Sequence, residues 1–214
     1  MKWTLKEVKQ ETCHPFLNFY TLIYDVTKED GSHSLYSYYL ASRREKEELR
    51  AITKEYERPD GVLLPLYYVD PDSQQISFLL TTQFRPAIGR YCTSFVAGLL
   101  DRSDTDILDA VRREAKEESG CRVDDLELIA PPAPTSSGLS DEINCIVLGR
   151  ITSFGEKHLE EYEDIKTKLY SLQEIQAMLE NPDFYFPINI RILLLYFLGR
   201  FLKENACSVY PKIR

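Results

Sequence analysis

The hydrophobic positions of the chain recur every second residue in some stretches and every third or fourth residue in others. Stretches rich in aromatic and β-branched residues, bounded by turn-forming residues, predict β-strands. The first two are separated by the turn-like sequence KEDGSH, which predicts an antiparallel hairpin. From the N-terminus onward, the predicted strands cover residues 16–26, 34–40, 61–70, 76–84, 91–95, 143–151 and 165–170.

Three other stretches have the spacing and the boundary residues typical of helices. They cover residues 106–119, 172–180 and about 188–205. The last one is apolar around much of its circumference, so we expect it to be buried on several sides. Its longest apolar run, residues 192–198, is too short to span a membrane, and we expect no membrane partner.

Both faces of the predicted hairpin carry apolar side chains. Because successive side chains of a strand point to opposite faces, each face needs cover. A partner subunit and the chain's own main domain are two alternatives for the second cover, and the pattern leaves both open. One face presents Leu17, Phe19 and Ile23, and the other presents Tyr20, Leu22, Tyr24 and Val26.

Composition and charge narrow the classes of function. The chain has 214 residues, of which 43% are hydrophobic and 28% charged, a composition typical of one or two globular domains. Lys and Arg number 26 against 34 Asp and Glu, so the net charge of −8 disfavours a nucleic-acid partner. A small phosphorylated ligand is compatible with this charge, because metal ions held by carboxylates can mediate its binding.

The cysteines and the first residues favour a cytoplasmic location. The five cysteines are widely spaced and form no Cys-x-x-Cys pair typical of zinc or redox sites. The opening sequence MKWTLKEVKQ does not develop the apolar stretch of a secretory signal. We therefore expect reduced thiols and a cytoplasmic protein.

Three glutamates of the predicted helix at residues 106–119 fall on its apolar face. On a helical wheel, Glu114, Glu117 and Glu118 continue the stripe of apolar side chains from the first turns. Carboxylates that share a partly enclosed face repel each other unless cations lie between them. Oxygen ligands without His or Cys favour Mg²⁺ or Mn²⁺. The alternative is an acidic helix end that faces water.

The sequence around this helix resembles a family signature. The string REAKEESG, which begins at Arg113, matches the RExxEExG core of the Nudix box, and Ala97-Gly98-Leu99 precedes it. The chain is therefore similar to Nudix hydrolases. Four further stretches narrow the resemblance to the ADP-ribose diphosphatase branch of that family. They are Glu57-Arg58, Gln83-Phe84-Arg85-Pro86, Gly138-Leu139-Ser140-Asp141-Glu142 and Glu161-Tyr162-Glu163-Asp164-Ile165-Lys166.

The resemblance implies a fold class and an oligomeric state. The class is α/β, with residues 57–214 forming a Nudix-type α/β/α sandwich with a mixed sheet. Residues 1–56 would form a small N-terminal antiparallel β hairpin subdomain. Because this branch associates through N-terminal strands, the two-sided hairpin also predicts a homodimer.

The resemblance also implies a metal centre. Its ligands would be Glu114, Glu117, Glu118 and the backbone carbonyl of Ala97. The cofactor would be Mg²⁺ or Mn²⁺, and Arg113 and Glu117 would take part in catalysis. Metal ions in such a site neutralise the diphosphate, lower the pKa of a bound water and align the reacting groups.

A general base and substrate contacts complete the expected site. Glu161 is the first choice for the base and Glu163 the second, because acidic loops of the relatives close over bound substrate. The alternative is that this acidic segment is only a solvated loop. Substrate contacts would come from Arg58, Arg85, Gly98, Leu99 and Glu142.

Two positions depart from the family pattern. Thr105 replaces the glutamate that usually pairs with the box arginine, and Asp104 and Asp106 are both candidates for its role. Ser94 stands where the branch usually has a carboxylate, near the nucleotide side of the pocket. The identity of the base and sugar therefore stays open.

The expected partner is a small-molecule nucleoside diphosphate sugar. The expected reaction is metal-dependent hydrolysis of ADP-ribose, or of a related compound, to a nucleoside monophosphate and a sugar phosphate. One alternative is a Nudix hydrolase that acts on another nucleotide or on a dinucleotide. The other is a non-hydrolytic sensor that binds a nucleotide.

Overall fold

The chain folds into two compact units, and each unit is built from two segments of the sequence. The computed structural model describes residues 1–101, 104, 106–159 and 164–201. The first unit is Met1–Gly61 with Ala130–Cys145, and the second is Val62–Ile129 with Ile146–Arg214. The predicted division into residues 1–56 and 57–214 stays a prediction. Across the described part of the chain, every helix is too short or too polar to cross a membrane.

Within the described residues, the first unit contains a three-stranded antiparallel sheet. Its strands are, in order, β1 (Lys2–Gln10), β2 (Asn18–Thr27) and β3 (His33–Ser42). The segment after β3 closes one face of this sheet, since the Tyr20 hydroxyl donates to the Arg44 carbonyl at 2.8 Å. The core on that face buries Val8, Tyr20, Leu22, Leu40 and Leu49.

Strand β1 is missing from the sequence prediction, and a β-bulge explains why. The pairing register with β2 shifts between Leu5 and Glu7. Trp3 and Val8 therefore both lie on the face that carries Leu22, although they are five positions apart in the sequence. The inserted residue breaks the period of two along β1, and with it the alternation from which a strand is predicted.

The two faces of this sheet differ in exposure. The chain itself covers the face around Tyr20 and Leu22. On the opposite face, Phe19 is 40% exposed and Tyr39 is 60% exposed, and their rings stack with centroids 6.0 Å apart. Leu35 on that face is also exposed. Of the two covers that the hairpin needs, the described chain supplies one.

A mixed sheet of eight strands, counted within the described residues, continues the fold. Its strands are β4 (Gly61–Leu64), β5 (Leu66–Val69), β6 (Ile76–Arg85), β7 (Arg90–Ser94), β8 (Val96–Leu99), β9 (Cys121–Pro134), β10 (Ile143–Phe154) and β11 (Ile165–Ser171). The order is β11-β6-β5-β10-β4-β8, with β7 paired to β6 and β9 paired to β10. Strands β5 and β10 run parallel, whereas β6 runs antiparallel to β5, β7 and β11.

Prolines account for two differences from the predicted strands. Pro65 has no N–H to donate to a ladder, and it separates β4 from β5 where the sequence predicts one strand. Strand β9 lies where the sequence predicts no strand, and its last residues are rich in proline. Within the described residues, β9 pairs with β10 and is an edge strand of the sheet. An edge strand tolerates prolines, here Pro131, Pro132 and Pro134.

Helices cover both faces of the mixed sheet. In the described residues they are α2 (Ile107–Ser119), α3 (Leu172–Glu180) and α4 (Ile188–Phe201), while α1 (Arg50–Thr53) belongs to the first unit. A core of α3, α4 and sheet residues includes Phe78, Phe95 and Phe197, and Ala97 of β8 packs against it. A Cβ built on the next residue, Gly98, would point toward Glu114 of α2. Since successive strand residues point to opposite faces, the predicted α/β/α sandwich is confirmed.

Both ends of α2 carry capping residues. The Asp106 side chain accepts a hydrogen bond from the Leu108 N–H at 2.9 Å, which satisfies a free donor of the first turn. Gly120 follows the last turn with a φ of 71°, a conformation that favours glycine. The helix therefore occupies the segment predicted for it, with residue 106 as its cap.

We expect Ser171→Ala to lower the free energy of unfolding by about 1 kcal/mol, because Ser171 caps α3. Its hydroxyl accepts from the Glu174 N–H at 3.2 Å, and the Glu174 carboxylate accepts from the Ser171 N–H at 2.8 Å. Urea denaturation at pH 7 measures the effect. The exposed Gln173→Ala on the same helix is the control, with an expected change within about 0.5 kcal/mol.

The same cap gives a pH dependence. Hydrogen bonds from Ser171 lower the pKa of Glu174 below its ordinary value. The ionised carboxylate therefore stabilises the fold above the pKa of the unfolded chain, about 4.3, and this contribution is lost as the pH falls through the lower folded pKa. The difference between the native protein and Ser171→Ala should shrink below about pH 4. A difference that grows there would contradict this account of the cap.

Candidate active site

One glutamate of the box is buried and the other two are partly exposed. Glu114 is 8% exposed, and Glu117 and Glu118 are half-buried. They share the side of α2 that packs on the sheet, as the helical wheel predicts. The solvent-facing side of the helix presents Asp109, Arg112 and Lys116.

Strand β8 and helix α2 approach each other closely at Gly98. A Cβ added to Gly98 would overlap the carboxyl carbon of Glu114 and one of its oxygens. Any side chain at this position would therefore displace the carboxylate. One residue earlier, the Ala97 N–H donates to Glu118 Oε2 at 3.3 Å. The geometry thus brings Ala97 and Gly98 next to two of the three box glutamates.

The Arg113 guanidinium lies at the centre of these carboxylates. Its Nη1 donates to Glu114 Oε1 at 2.7 Å and to Glu117 Oε2 at 3.2 Å. Its Nη2 donates to Asp104 Oδ2 at 3.0 Å and lies 3.7 Å from Asp101 Oδ2. One guanidinium therefore links two box glutamates with an aspartate from the loop between β8 and α2.

Burial and charge act in opposite directions at this cluster. Burial raises the pKa of the Glu114 carboxyl, and the charge and hydrogen bond of Arg113 offset this rise only in part. Burial alone would lower the pKa of Arg113, but the hydrogen bond to Asp104 and the charge of Glu114 raise it. Arg113 therefore stays charged, while the ionised form of Glu114 would be favoured by a further positive charge.

The donor atoms suit a hard divalent cation, although they are not arranged as a finished site. Within the described residues, no three His, Cys, Asp or Glu side chains form a metal-holding group. Glu114 and Glu117 instead bond to Arg113. Carboxylate oxygens are the ligands that Mg²⁺ and Mn²⁺ prefer, and the buried charge of Glu114 favours a cation nearby. To bind one, these two carboxylates must turn from Arg113 or be shared with it.

Two other predicted site residues of the second unit lie at strand ends. Leu99 ends β8, and its carbonyl accepts from Arg113 Nη2 at 3.4 Å. Arg85 ends β6 and is exposed. Three positions of interest lie outside the described residues, namely Thr105, Glu161 and Glu163.

Arg58 and Glu142 belong to the first unit. Arg58 is exposed, and its N–H donates to Glu55 Oε1 at 2.8 Å. Glu142 is half-buried, and its Oε2 accepts from Arg43 Nη1 at 2.7 Å. The Thr135 hydroxyl donates to the other carboxylate oxygen of Glu142 at 3.0 Å. Arg58 and Glu142, both predicted substrate contacts, therefore lie in segments that hydrogen bonds within the first unit hold in place.

Arg50 anchors the segment of Arg58, and sequence reasoning misses it. Its side chain is 3% exposed and donates to Asp60 Oδ2 at 3.0 Å and to Glu55 Oε2 at 2.9 Å. It also donates to the carbonyls of Asp141 at 3.0 Å and of Arg58 at 2.9 Å. In the sequence, Arg50 stands in a highly charged stretch that is typical of a solvated surface, so no local signal marks it as buried.

A scan against protein-family models matches the NUDIX domain over residues 58–188, more than half of the chain. The chain belongs to the Nudix family. This Nudix protein is a hydrolase that acts on phosphoric anhydride bonds. A crystal structure of an ADP compounds hydrolase is similar to it, with a TM-score of 0.65 and 18% sequence identity. The likeness covers 95% of each chain and concerns the fold.

For this Nudix hydrolase, we expect Gly98→Ala to lower the rate of diphosphate cleavage by at least about 100-fold. The added methyl group would displace the Glu114 carboxylate, and a misplacement of about 1 Å at a catalytic group costs about that much. Release of the phosphomonoester product at saturating Mg²⁺ measures the rate. Circular dichroism checks that the variant is folded.

Gly199→Ala on α4 is the matched control for this substitution. A Cβ added there meets no atom within 4 Å, so we expect unchanged activity. A folded Gly98→Ala variant with the activity of the control would show that the place of Glu114 beside β8 does not matter for the reaction.

Proposed function

We propose that this Nudix hydrolase cleaves the diphosphate of ADP-ribose, or of a related nucleoside diphosphate sugar, to a nucleoside monophosphate and a sugar phosphate. The observation that carries the proposal is the buried Glu114 carboxylate beside Gly98, within the box that the family shares. The substrate class is supported by the sequence stretches around the box. The name of the structural relative, an ADP compounds hydrolase, agrees with it.

In this proposal, Glu114, Glu117, Glu118 and the Ala97 carbonyl hold Mg²⁺ or Mn²⁺. The bound ions supply charge neutralisation of the diphosphate and a more acidic water. Arg113 orients Glu114 and Glu117 through the hydrogen bonds from its Nη1. Gly98 keeps the space between β8 and α2 free of a side chain, so the carboxylates can lie against the strand.

We propose Glu161 as the general base, with Glu163 as the second candidate. The described ends of their segment support this choice. At one end, the His158 N–H donates to the Glu117 carbonyl at 2.9 Å. At the other, Asp164 accepts from the Tyr91 hydroxyl at 3.0 Å. The described chain is therefore held by a hydrogen bond on each side of this acidic segment, and on one side the bond is to α2 itself.

Arg58, Arg85 and Glu142 are proposed substrate contacts, together with the backbone at Gly98 and Leu99. Exposed guanidinium groups suit a diphosphate or a ribose, because their planar forks donate several hydrogen bonds at once. The alternative substrates are another nucleotide or a dinucleotide. Ser94 supports these alternatives, because it is buried and stands where the ADP-ribose diphosphatase branch usually has a carboxylate.

A cytoplasmic location is part of the proposal. It is supported by the buried free thiols of Cys92, Cys121 and Cys145, which fit a reducing compartment. The exposed Cys13 is also a free thiol.

The test of the proposed reaction is a panel of ADP-ribose, other nucleotide sugars and dinucleotides with Mg²⁺, with the products identified by chromatography. We expect ADP-ribose among the best substrates, with AMP and ribose 5-phosphate as products. ADP-ribose among the poorest substrates would favour a different nucleotide. Nucleotide binding without turnover of any compound would favour the sensor.

Variants in the same assay test the assigned residues. We expect Glu118→Gln to lower activity by at least about 100-fold at saturating Mg²⁺, since changes even to the partners of metal ligands cost 10- to 100-fold. Glu161→Gln should lose about 100-fold or more, and Glu163→Gln less. Glu180→Gln, at the exposed end of α3, is the matched control and should keep full activity. Full activity of Glu118→Gln would show that Glu118 is not a metal ligand.

We also propose a homodimer that covers the exposed face of the N-terminal sheet. Phe19, Leu35 and Tyr39 form an apolar surface on that face, and exposed apolar patches of this kind mark association sites. A second copy of the chain would supply the cover that the described chain lacks on this face. Phe19 and Tyr39 form a stacked pair on this surface.

Sedimentation velocity on the full chain tests the dimer. We expect the native protein to sediment as a dimer, and the double variant Phe19→Ser with Tyr39→Ser as a monomer, because the apolar contact is lost. Leu128→Ser removes an exposed apolar side chain from the second unit and should leave the dimer intact. A monomeric native protein, or a double variant that stays dimeric, would rule out this face as the interface.

A further inference from the structure

Asp104 is fixed in the loop between β8 and α2. Its side chain is 14% exposed, and its Oδ2 accepts from the Asp101 N–H at 2.8 Å. The Asp104 N–H in turn donates to the Asp101 carbonyl at 3.0 Å. The same Oδ2 accepts from Arg113 Nη2 at 3.0 Å. Asp104 therefore offers Arg113 a carboxylate whose position is set by backbone hydrogen bonds.

The neighbouring acids have other roles or weaker contacts. Asp106 is exposed and caps α2 through the Leu108 N–H. Asp101 has a side chain that is 68% exposed and lies 3.7 Å from Arg113. Asp104 is thus the loop acid whose largely covered carboxylate bonds directly to the guanidinium.

Arg113 is held between two groups of acids. Its Nη1 bonds to Glu114 and Glu117, and its Nη2 bonds to Asp104. Its Nε is buried and has no hydrogen-bond partner among the described residues. The two Nη groups therefore fix the guanidinium, and its position depends on the balance between the box glutamates and Asp104.

We propose that Asp104 is a positioning residue that acts through Arg113 to set how tightly Glu114 and Glu117 hold a divalent cation. This inference rests on the metal-dependent function proposed above. Arg113 and the cation compete for the same carboxylate oxygens. Asp104 keeps one edge of the guanidinium on the loop side, so that Arg113 retains a partner when the glutamates turn to a cation.

Removal of the Asp104 charge should shift this balance toward the glutamates. Arg113 would then bond more tightly to Glu114 and Glu117, and a cation would have to displace it at a greater cost. We expect Asp104→Asn to raise the Kd for Mn²⁺ by about tenfold, the lower end of the range for partners of metal ligands. Electron paramagnetic resonance of free Mn²⁺ measures the Kd on the full chain without substrate.

Three further variants serve as controls for Asp104→Asn. Asp109→Asn removes the same charge from the exposed side of α2, where Asp109 pairs with Arg112 at 3.3 Å, and should change the Kd less than about twofold. Asp106→Asn keeps an oxygen that can cap α2 and should leave the Kd unchanged. Asp104→Glu keeps the charge and should restore tight binding. If Asp104→Asn does not fold, Asp104→Ser is the second removal variant.

A double-mutant cycle tests whether Asp104 acts through Arg113. In an Arg113→Gln background, the guanidinium is gone, so Asp104→Asn should no longer change the Kd. The same tenfold change in both backgrounds would overturn the proposal, and so would a native Kd in Asp104→Asn alone. A native protein that binds no Mn²⁺ would overturn the metal-dependent function itself, and this inference with it.

Discussion

The buried carboxylate of Glu114 is the constraint to which the surrounding residues respond. A carboxylate that is 8% exposed is unfavourable unless it is paired and hydrogen-bonded. Gly98 gives it room against β8, and Arg113 gives it a charged partner at 2.7 Å. Asp104 then gives the same guanidinium a second partner on its other edge. The spacing of strand, helix and loop at this point therefore follows from the need to accommodate one buried charge.

The fold makes this spacing rigid. On one face of the sheet, the Phe95 ring before β8 packs edge-on against Phe78 and Phe197, with centroids 6.0 and 6.1 Å away. On the other face, α2 starts at its Asp106 cap and ends at Gly120. A site held between two packed elements keeps its geometry better than one built on loops alone. The hydrophobic core thus fixes the distance between Gly98 and Glu114.

The parts of the site that follow from local geometry are predictable from the sequence. Because helix geometry fixes the period, the inward face of α2 and its cap emerge from residue spacing alone. The buried role of Arg50 does not, because its partners Asp60 and Asp141 are remote in sequence or come from another segment. Strand β1 is hidden by its bulge. The division of roles between Asp104 and Asp106 depends on loop geometry, which spacing does not determine.

Charge around the box explains why a cation belongs to the proposed reaction. The carboxylates of Asp104, Glu114 and Glu117 surround the Arg113 guanidinium. Glu118 adds a further carboxylate on the same face of α2 as the other two glutamates. The chain as a whole carries a net charge of −8. An anionic diphosphate approaching such a surface meets repulsion from both the site and the protein. In the proposed reaction, a divalent cation would reverse the local sign and offer the substrate oxygens a ligand position, so carboxylates that would repel the diphosphate alone would bind it through the metal.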